Sequence, residues 1–272
     1  MSFVDLHIHS TFSDGLLTPE MIVETVRENN VPGFSLTDHD TFDGVGVVLD
    51  YLRRNKLEEK IIFIKGCEFS SYRRELGEVH IIGYFFDDNY KNIYDFTREF
   101  QVQRAGRAKK IIECLNNYGY EINEEDVFGD SKTVGRLNIA RSLVKKGFFK
   151  DIGEAFEKML KDGAPCYFKK KEVSPEIIIQ EIVKNKGKAV LAHPTFLNFH
   201  KDWSFLYDWI KIGLWGIECY HPKISGLLAG EIIKNFTGTL VFTGGSDFHG
   251  DDENIKIGQY GISVESAVEI FS

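Results

Sequence analysis

Histidine is scarce in this chain, eight in 272 residues, and its placement constrains the fold more than any other feature. Six of the eight, His7, His9, His39, His80, His193 and His249, lie with the carboxylates Asp14, Glu68 and Asp247 at or near the ends of strand-like runs. The first run shows the logic. Read as a strand, residues 3–9 put Phe3, Asp5, His7 and His9 on one face and Val4, Leu6 and Ile8 on the other, because strand side chains repeat every two residues. Two imidazoles side by side, then Asp14 in a turn that Gly15 permits, make a poor core and a good cation cradle. Taken alone, the stretch is equally compatible with a half-buried strand whose histidines are hydrogen-bonded. The other histidines and acids decide between the two, and Asp247-x-His249 repeats the period-two arrangement of His7-x-His9.

The rest of the chain supplies the strands that would bring these residues together. Runs at 33–37, 61–67, 79–86, 188–192, 214–220 and 239–243 read as strands, and the run at 61–67 as a buried, parallel one ending at Glu68. Helices are expected from Thr18 to about 30, and over 43–56, 175–186, 203–212 and 224–235. Thr18-Pro19-Glu20 and Ser174-Pro175-Glu176 both combine an N-cap, a proline at the first helical position and an early acid. Repeated strand–helix units predict an α/β fold with a parallel sheet closed, or nearly closed, into a barrel. At the C-terminal strand ends of such a barrel, active-site residues surround one mouth. His80 lies near the start of its strand, so its placement there is the loosest.

Between about 90 and 172 the rhythm breaks. A long amphipathic segment at 92–118 and helices near 136–147 and 151–161 are punctuated by Gly119, Gly129, Gly147 and Gly163. The reading is a helical cap, residues 91–172, inserted into a barrel formed by 1–90 and 173–272. The alternative is a set of surface helices with no role over the site. Residues 97–175 hold 16 Lys/Arg against 12 Asp/Glu in a chain of formal charge −8, so a mildly basic insert sits on an acidic body. That balance suits bound cations below and an anionic substrate above. It lacks the broad basic stripe that long duplex nucleic acid favours.

Cys67, Cys114, Cys166 and Cys219 are scattered with no C-x-x-C pair, which argues against a thiolate zinc site; buried free thiols are the expectation. No apolar run approaches the roughly 18 residues of a membrane span. The N-terminus lacks the basic and apolar regions of a signal peptide, so a cytoplasmic protein with no membrane contact is expected.

Imidazole and carboxylate ligands without thiolate suit Mn²⁺, Fe²⁺ or Zn²⁺. Nine ligands exceed what one ion takes and fit two or three ions sharing a bridging carboxylate, which points to a multinuclear hydrolase. Outside this set stand His200 and His221.

The motifs DLHIHSTFSDG (5–15), TDHD (37–40), GCEFS (66–70), VHIIGYF (79–85), AHP (192–194) and GSDFH (245–249) resemble those of the PHP (polymerase and histidinol phosphatase) metal-dependent phosphoesterases. The resemblance spans nearly the whole chain and fills all nine ligand positions. It implies a distorted (βα)7 barrel. It also implies one metal held by His7, His9, Glu68 and Asp247, a second by Glu68, His80 and His193, and a third by Asp14, His39 and His249. The insert, with VGRLNIARSLVKKG (134–147), is similar to the subgroup acting on nucleotides, which includes nucleoside 3′,5′-bisphosphate phosphatases and short-RNA 5′-exonucleases. By that likeness Arg136 contacts substrate phosphate and His221 lies close to the phosphoryl group. The subgroup often reads Gly-Arg-Pro-His where this chain has Gly-Arg-Leu137-Asn138.

The expected chemistry is hydrolysis of a phosphomonoester of a nucleotide by metal-activated hydroxide, since a divalent ion lowers the pKa of its water from 15.7 toward ~7. The alternatives are a 5′-3′ exonuclease on short oligonucleotides, a histidinol phosphatase and a non-catalytic metal-binding module. A loop or N-cap role competes for His221. Asp5, Asp38 and Asp40 are candidates for orienting imidazoles from behind, with ordinary turn and strand-end roles favoured for the latter two. Arg104 and Arg107 are candidates for a second phosphate, with a solvated helix face favoured for both. Oligomeric state is not legible.

Overall fold

The computed structural model describes residues 3–128, 133–169, 172–198 and 202–271; Gly129 and His200 lie outside them. Strand β1 (Asp5–Ile8) leads to helix α1 (Pro19–Glu28), β2 (Gly33–Leu36), α2 (Asp43–Arg54), β3 (Ile62–Arg73) and β4 (Gly77–Phe85). The intervening body holds α3 (Tyr94–Asn117), α4 (Glu124–Phe128), α5 (Arg136–Lys145) and α6 (Ile152–Ala155), the last running into a π-turn at Phe156–Leu160. The rhythm resumes with α7 (Pro175–Lys184), β5 (Lys188–Leu191), α8 (Ser204–Lys211), β6 (Leu214–Tyr220), α9 (Gly226–Phe236), β7 (Val241–Gly244) and α10 (Val264–Phe271). The caps act as the sequence requires. Thr18 accepts from Met21 N and Ser174 from Ile177 N, each satisfying an orphan donor ahead of a proline-initiated helix.

The seven strands form one sheet in sequence order. β1, β2 and β3 are parallel, as are β5, β6 and β7, but β4 runs antiparallel to both neighbours. The sequence expectation of a wholly parallel sheet fails here for a simple reason. Only the turn at 74–76, leading into Gly77 at φ +83°, separates β3 from β4, and a parallel crossover needs a dozen or more residues. β3 therefore continues past Glu68, pairing Ser70 with His80 and Arg73 with Gly77. Reversal also explains His80: the start of an antiparallel strand lies at the mouth where its neighbours end.

The sheet curls until its ends meet. Asp247 N donates to His7 O at 2.9 Å and His9 N to Phe248 O at 3.0 Å, so the segment after β7 closes onto β1. Lower down, Tyr84 on β4 donates from its hydroxyl to Leu6 O at 2.8 Å, linking strands that are not neighbours in the sheet. Ile64, Ile82, Tyr84 and Val190 cluster at this level.

The helices between β4 and α7 have an apolar core of their own, in which Ile111 and Leu115 of α3 meet Ile139 and Leu143 of α5 and Leu160. Each side chain fully buried in this way stabilises the insert by about 1.5–3 kcal/mol. Cys114 and Cys166 are joined by a disulfide across this body, against the expectation of free thiols; Cys67 and Cys219 are free and buried. Pairing at a separation of 52 residues follows from helix packing and leaves no mark in the spacing. Among the described residues no helix is long and apolar enough to cross a membrane.

Candidate metal centre

All nine predicted ligands converge at one end of the barrel. His7 and His9, at the end of β1, are fully buried, and their Nε2 atoms lie 3.1 Å apart. Their packing depends on two glycines. A Cβ on Gly245 would stand 2.3 Å from His7 Cβ, and one on Gly15 would stand 2.2 Å from His9 O. Gly15 is thus required for close approach of backbone.

Glu68 is the hub. It lies inside β3 and not at its end, where the sequence placed it, and its side chain is 1% exposed. His80 Nδ1 and His193 Nε2 approach its Oε1 at 2.9 and 2.8 Å. His39 Nδ1, His9 Nε2 and His7 Nε2 approach Oε2 at 3.0, 3.3 and 3.4 Å. Asp247 Oδ1 lies 3.4 Å from His7 Nε2 and 3.3 Å from His9 Nε2. At the far end Asp14 faces His249 Nε2 at 3.3 Å, His9 Nδ1 at 3.6 Å and His39 Nε2 at 3.7 Å.

Four overlapping groups have ligand atoms within 4.8 Å of one another: His9/Asp14/His39/His249, His7/His9/Asp247, His7/Glu68/His193 and His39/Glu68/His80. The last two divide the second ligand set implied by the resemblance, with Glu68 common to both. His193, Asp247 and Asp40 adopt positive φ of +24°, +52° and +55°; such backbone is uncommon away from glycine and gathers at functional sites.

The donor set fits divalent cations. Asp14 Oδ1, His39 Nδ1 and His80 Nε2 are buried and make no well-aligned hydrogen bond, although His249 and Glu68 lie close to the first two, whereas buried polar groups are ordinarily paired. Burial opposes charge on the carboxyls of Glu68, Asp14 and Asp247, yet the surrounding imidazoles hold all three well below the usual carboxylate range. Burial also opposes protonation of His9, but Asp247 and Glu68 outweigh it and raise that ring to about 10. His39 goes the other way, lowered to about 4 by burial despite Glu68 and Asp14. Three ionised carboxylates in a buried pocket demand positive charge, which a divalent cation would supply by taking the place of protons on the converging ring nitrogens.

His221 is 2% exposed at the same mouth. Its Nδ1 accepts from Lys223 N at 3.0 Å, which places the proton of a neutral ring on Nε2, 3.5 Å from Asp247 Oδ2. Arg136 does not touch the cluster. It meets Glu78 Oε2 at 3.2 Å and lies over the rings of Phe156 and Tyr167, while the other oxygen of Glu78 is 3.7 Å from His80 Nε2. Arg74, Arg107, Arg136 and Lys169 border an adjoining cavity of roughly 280 Å³.

Two arginines depart from expectation. Arg104 is buried, not solvated, and reaches into the barrel to donate to Asp40 Oδ2 at 2.6 Å and Ser70 Oγ at 2.7 Å. Arg107 is partly buried and donates to Phe168 O. None of the three acids considered for orienting imidazoles does so. Asp5 accepts from the backbone N–H groups of His7, Ser246 and Gly258, Asp38 from Ser10 and Ser13, and Asp40 from Ser70 N and Arg104. The carboxylate behind the rings is Glu218, which sequence reasoning missed: its Oε1 is 3.2 Å from His7 Nδ1 and its Oε2 accepts from His193 N at 2.8 Å. The available signal was a lone charge within the apolar strand LWGIECY.

Residues 5–162 match the family model of the PHP domain. The 5′-3′ exoribonuclease Rnm of Salmonella typhimurium is 32% identical over 73% of this chain and 68% of its own length. A phosphoribosyl 1,2-cyclic phosphate 1,2-diphosphodiesterase of Eggerthella lenta is 27% identical over 90% of this chain and 94% of its own. A 3′,5′-nucleoside bisphosphate phosphatase of Chromobacterium violaceum is 29% identical over 93% and 89%. Among solved structures, a metal-dependent phosphoesterase fold from Bifidobacterium adolescentis superposes with a TM-score of 0.87 at 24% identity, covering 99% of this chain and 95% of that one.

Proposed function

The chain belongs to the PHP domain family, and from that premise we propose that it is a metal-dependent phosphoesterase hydrolysing a phosphomonoester of a nucleotide, such as a nucleoside 3′,5′-bisphosphate. The convergence of six imidazoles and three carboxylates at one barrel mouth carries the reading. We assign two or three ions, Mn²⁺, Fe²⁺ or Zn²⁺, to His7, His9, Asp14, His39, Glu68, His80, His193, Asp247 and His249. Residues 1–90 and 173–272 are the barrel in this assignment and 91–172 the cap.

Divalent ions held by these residues would supply hydroxide near neutral pH and would draw charge from the phosphoryl oxygens. His221, with its proton on Nε2 and Asp247 alongside, is positioned to protonate the leaving oxygen. Arg136 offers a planar fork that can meet two phosphoryl oxygens at once. The Glu78 carboxylate now holds that guanidinium, so an arriving phosphate competes for it. Arg136→Ala should lower kcat/KM by the worth of a charge-assisted contact, about 1.5–3 kcal/mol; unchanged kinetics would make Arg136 structural.

A second reading, 5′-3′ exonuclease action on short oligonucleotides, is favoured by the Salmonella relative; the adjoining cavity, where four Lys/Arg face Glu78, Asp162 and Glu172, is a place for a continuing backbone to lie. A panel of nucleoside bisphosphates, monophosphates, 5′-phosphorylated short oligomers and a ribose 1,2-cyclic phosphate separates the readings. Phosphate released from bisphosphates supports the first. Mononucleotides shed from oligomers, with no phosphate released from bisphosphates, would replace it with the second.

A further inference from the structure

We propose that the helical insert positions one particular cation, the one held by Asp14, His39 and His249, and that Arg141 is the central positioning residue. The inference takes the three-ion form of the assignment above and extends it to residues that hold no metal themselves.

The three ligands come from the loops after β1, β2 and β7, and the insert grips each of those loops. Arg141 of α5 donates to the Asp14 carbonyl and, through its other terminal nitrogen, to Asp251 Oδ2 at 2.6 Å, two residues beyond His249. Asn138, one turn earlier, donates to Ser13 O at 3.2 Å. Thr133 donates to Phe12 O in the same loop. Arg104 of α3 holds Asp40, the residue after His39, and at the same time Ser70 on β3. The other end of the cluster is held differently. His7 and His193 are braced by Glu218, which belongs to the barrel, and the insert reaches that side through the partly exposed Arg136–Glu78 pair.

Arginine suits the central place. A guanidinium donates from a rigid fork in two directions, so one side chain ties the backbone of the Asp14 loop to the Asp251 carboxylate of the His249 loop. The distance between two ligands of one subsite is thereby set by a residue of the insert. A lysine has three donors on one nitrogen but no planar fork, so it holds two partners at a less defined spacing. Residues that orient metal ligands are typically worth about 10–100-fold in metal affinity.

The test is a titration of metal-free protein with Mn²⁺, reading free Mn²⁺ by electron paramagnetic resonance, with thermal unfolding of the metal-free forms alongside. The wild type should take up three ions per chain. Arg141→Ala should keep two at wild-type affinity and bind the third about 10–100-fold more weakly. Asp251→Asn, a partly exposed and gentler change, should weaken the same ion and decides the matter if Arg141→Ala does not fold. Arg141→Lys should restore only part of the loss. Three ions bound as in the wild type by both Arg141→Ala and Asp251→Asn would overturn the inference and leave the metal reading intact. So would equal weakening of all three ions. A wild type that binds fewer than three ions would overturn the three-cation reading itself, and the inference with it.

Discussion

The two ends of the ligand cluster are built from different material. Around Glu68, His7, His80 and His193, the ligands stand on strands or just past them, and a buried carboxylate of the barrel, Glu218, braces two of them. Around Asp14, His39 and His249, the ligands stand on loops, and side chains of the insert do the bracing. The first end inherits its geometry from sheet register, which is fixed wherever one strand face is buried. The second depends on helices between β4 and α7 that share an apolar cluster and a disulfide. One site is therefore braced from within the barrel at one end and by the insert at the other.

The change that should erase the contrast is Glu68→Gln. Five imidazoles approach this carboxylate from both ends, so activity should fall by on the order of 10³-fold, with metal lost from both ends. Turnover within tenfold of wild type would show that Glu68 is not the hub. Cys114→Ser should act on the insert alone. Its disulfide spans 52 residues, and such closure contributes up to about 4 kcal/mol in the chain-entropy account. Calorimetry should show the insert melting earlier and the barrel unmoved; a shift of the barrel transition would mean the two bodies are not independent.

Glu218→Gln is the complementary change. It should weaken Mn²⁺ binding about 10–100-fold at the His7 and His193 end, leaving the Asp14 end unaltered. Weakening at both ends would dissolve the distinction. The smallest effect is expected at Glu176, away from the cluster, which accepts from Arg73 at 2.8 Å and Trp209 Nε1 at 2.6 Å. Burial raises the pKa of that carboxyl, but Trp209, its own backbone N–H, Ser174 and, least, Arg73 together more than reverse the shift. Its contribution is therefore complete above the unfolded carboxylate pKa and fades as pH falls through the folded value. Because the pair is partly exposed, Glu176→Gln should cost about 1 kcal/mol or less at neutral pH. Chemical denaturation at pH 7 and pH 3 should show that difference shrinking in acid, with metal binding at neutral pH as in the wild type.

Much of this arrangement could be read before any coordinates. Strand ends carrying histidine or acid specify one mouth because successive parallel strands finish on the same side of a sheet. That reasoning located Glu68 and the histidines, but it assumed a single strand direction. It could not see β4 turn back at Gly77, which carries β3 past Glu68. Arg104 looked like one more cation on an amphipathic helix, since burial of a guanidinium depends on a distant partner, Asp40. Glu218 hid for the opposite reason: it sits in an apolar strand with no motif around it. The Cys114–Cys166 bond required knowledge of how the insert folds on itself. What local pattern determines was legible; what depends on tertiary partners was not.

The Tyr84 bridge to Leu6 has a consequence for traffic. With that phenol spanning the interior, and Ile64, Ile82 and Val190 packed at its level, the barrel is plugged from below. On the phosphatase reading, reactant and released phosphate then share one doorway. Inorganic phosphate left behind then occupies the place the next molecule needs, so it should inhibit competitively.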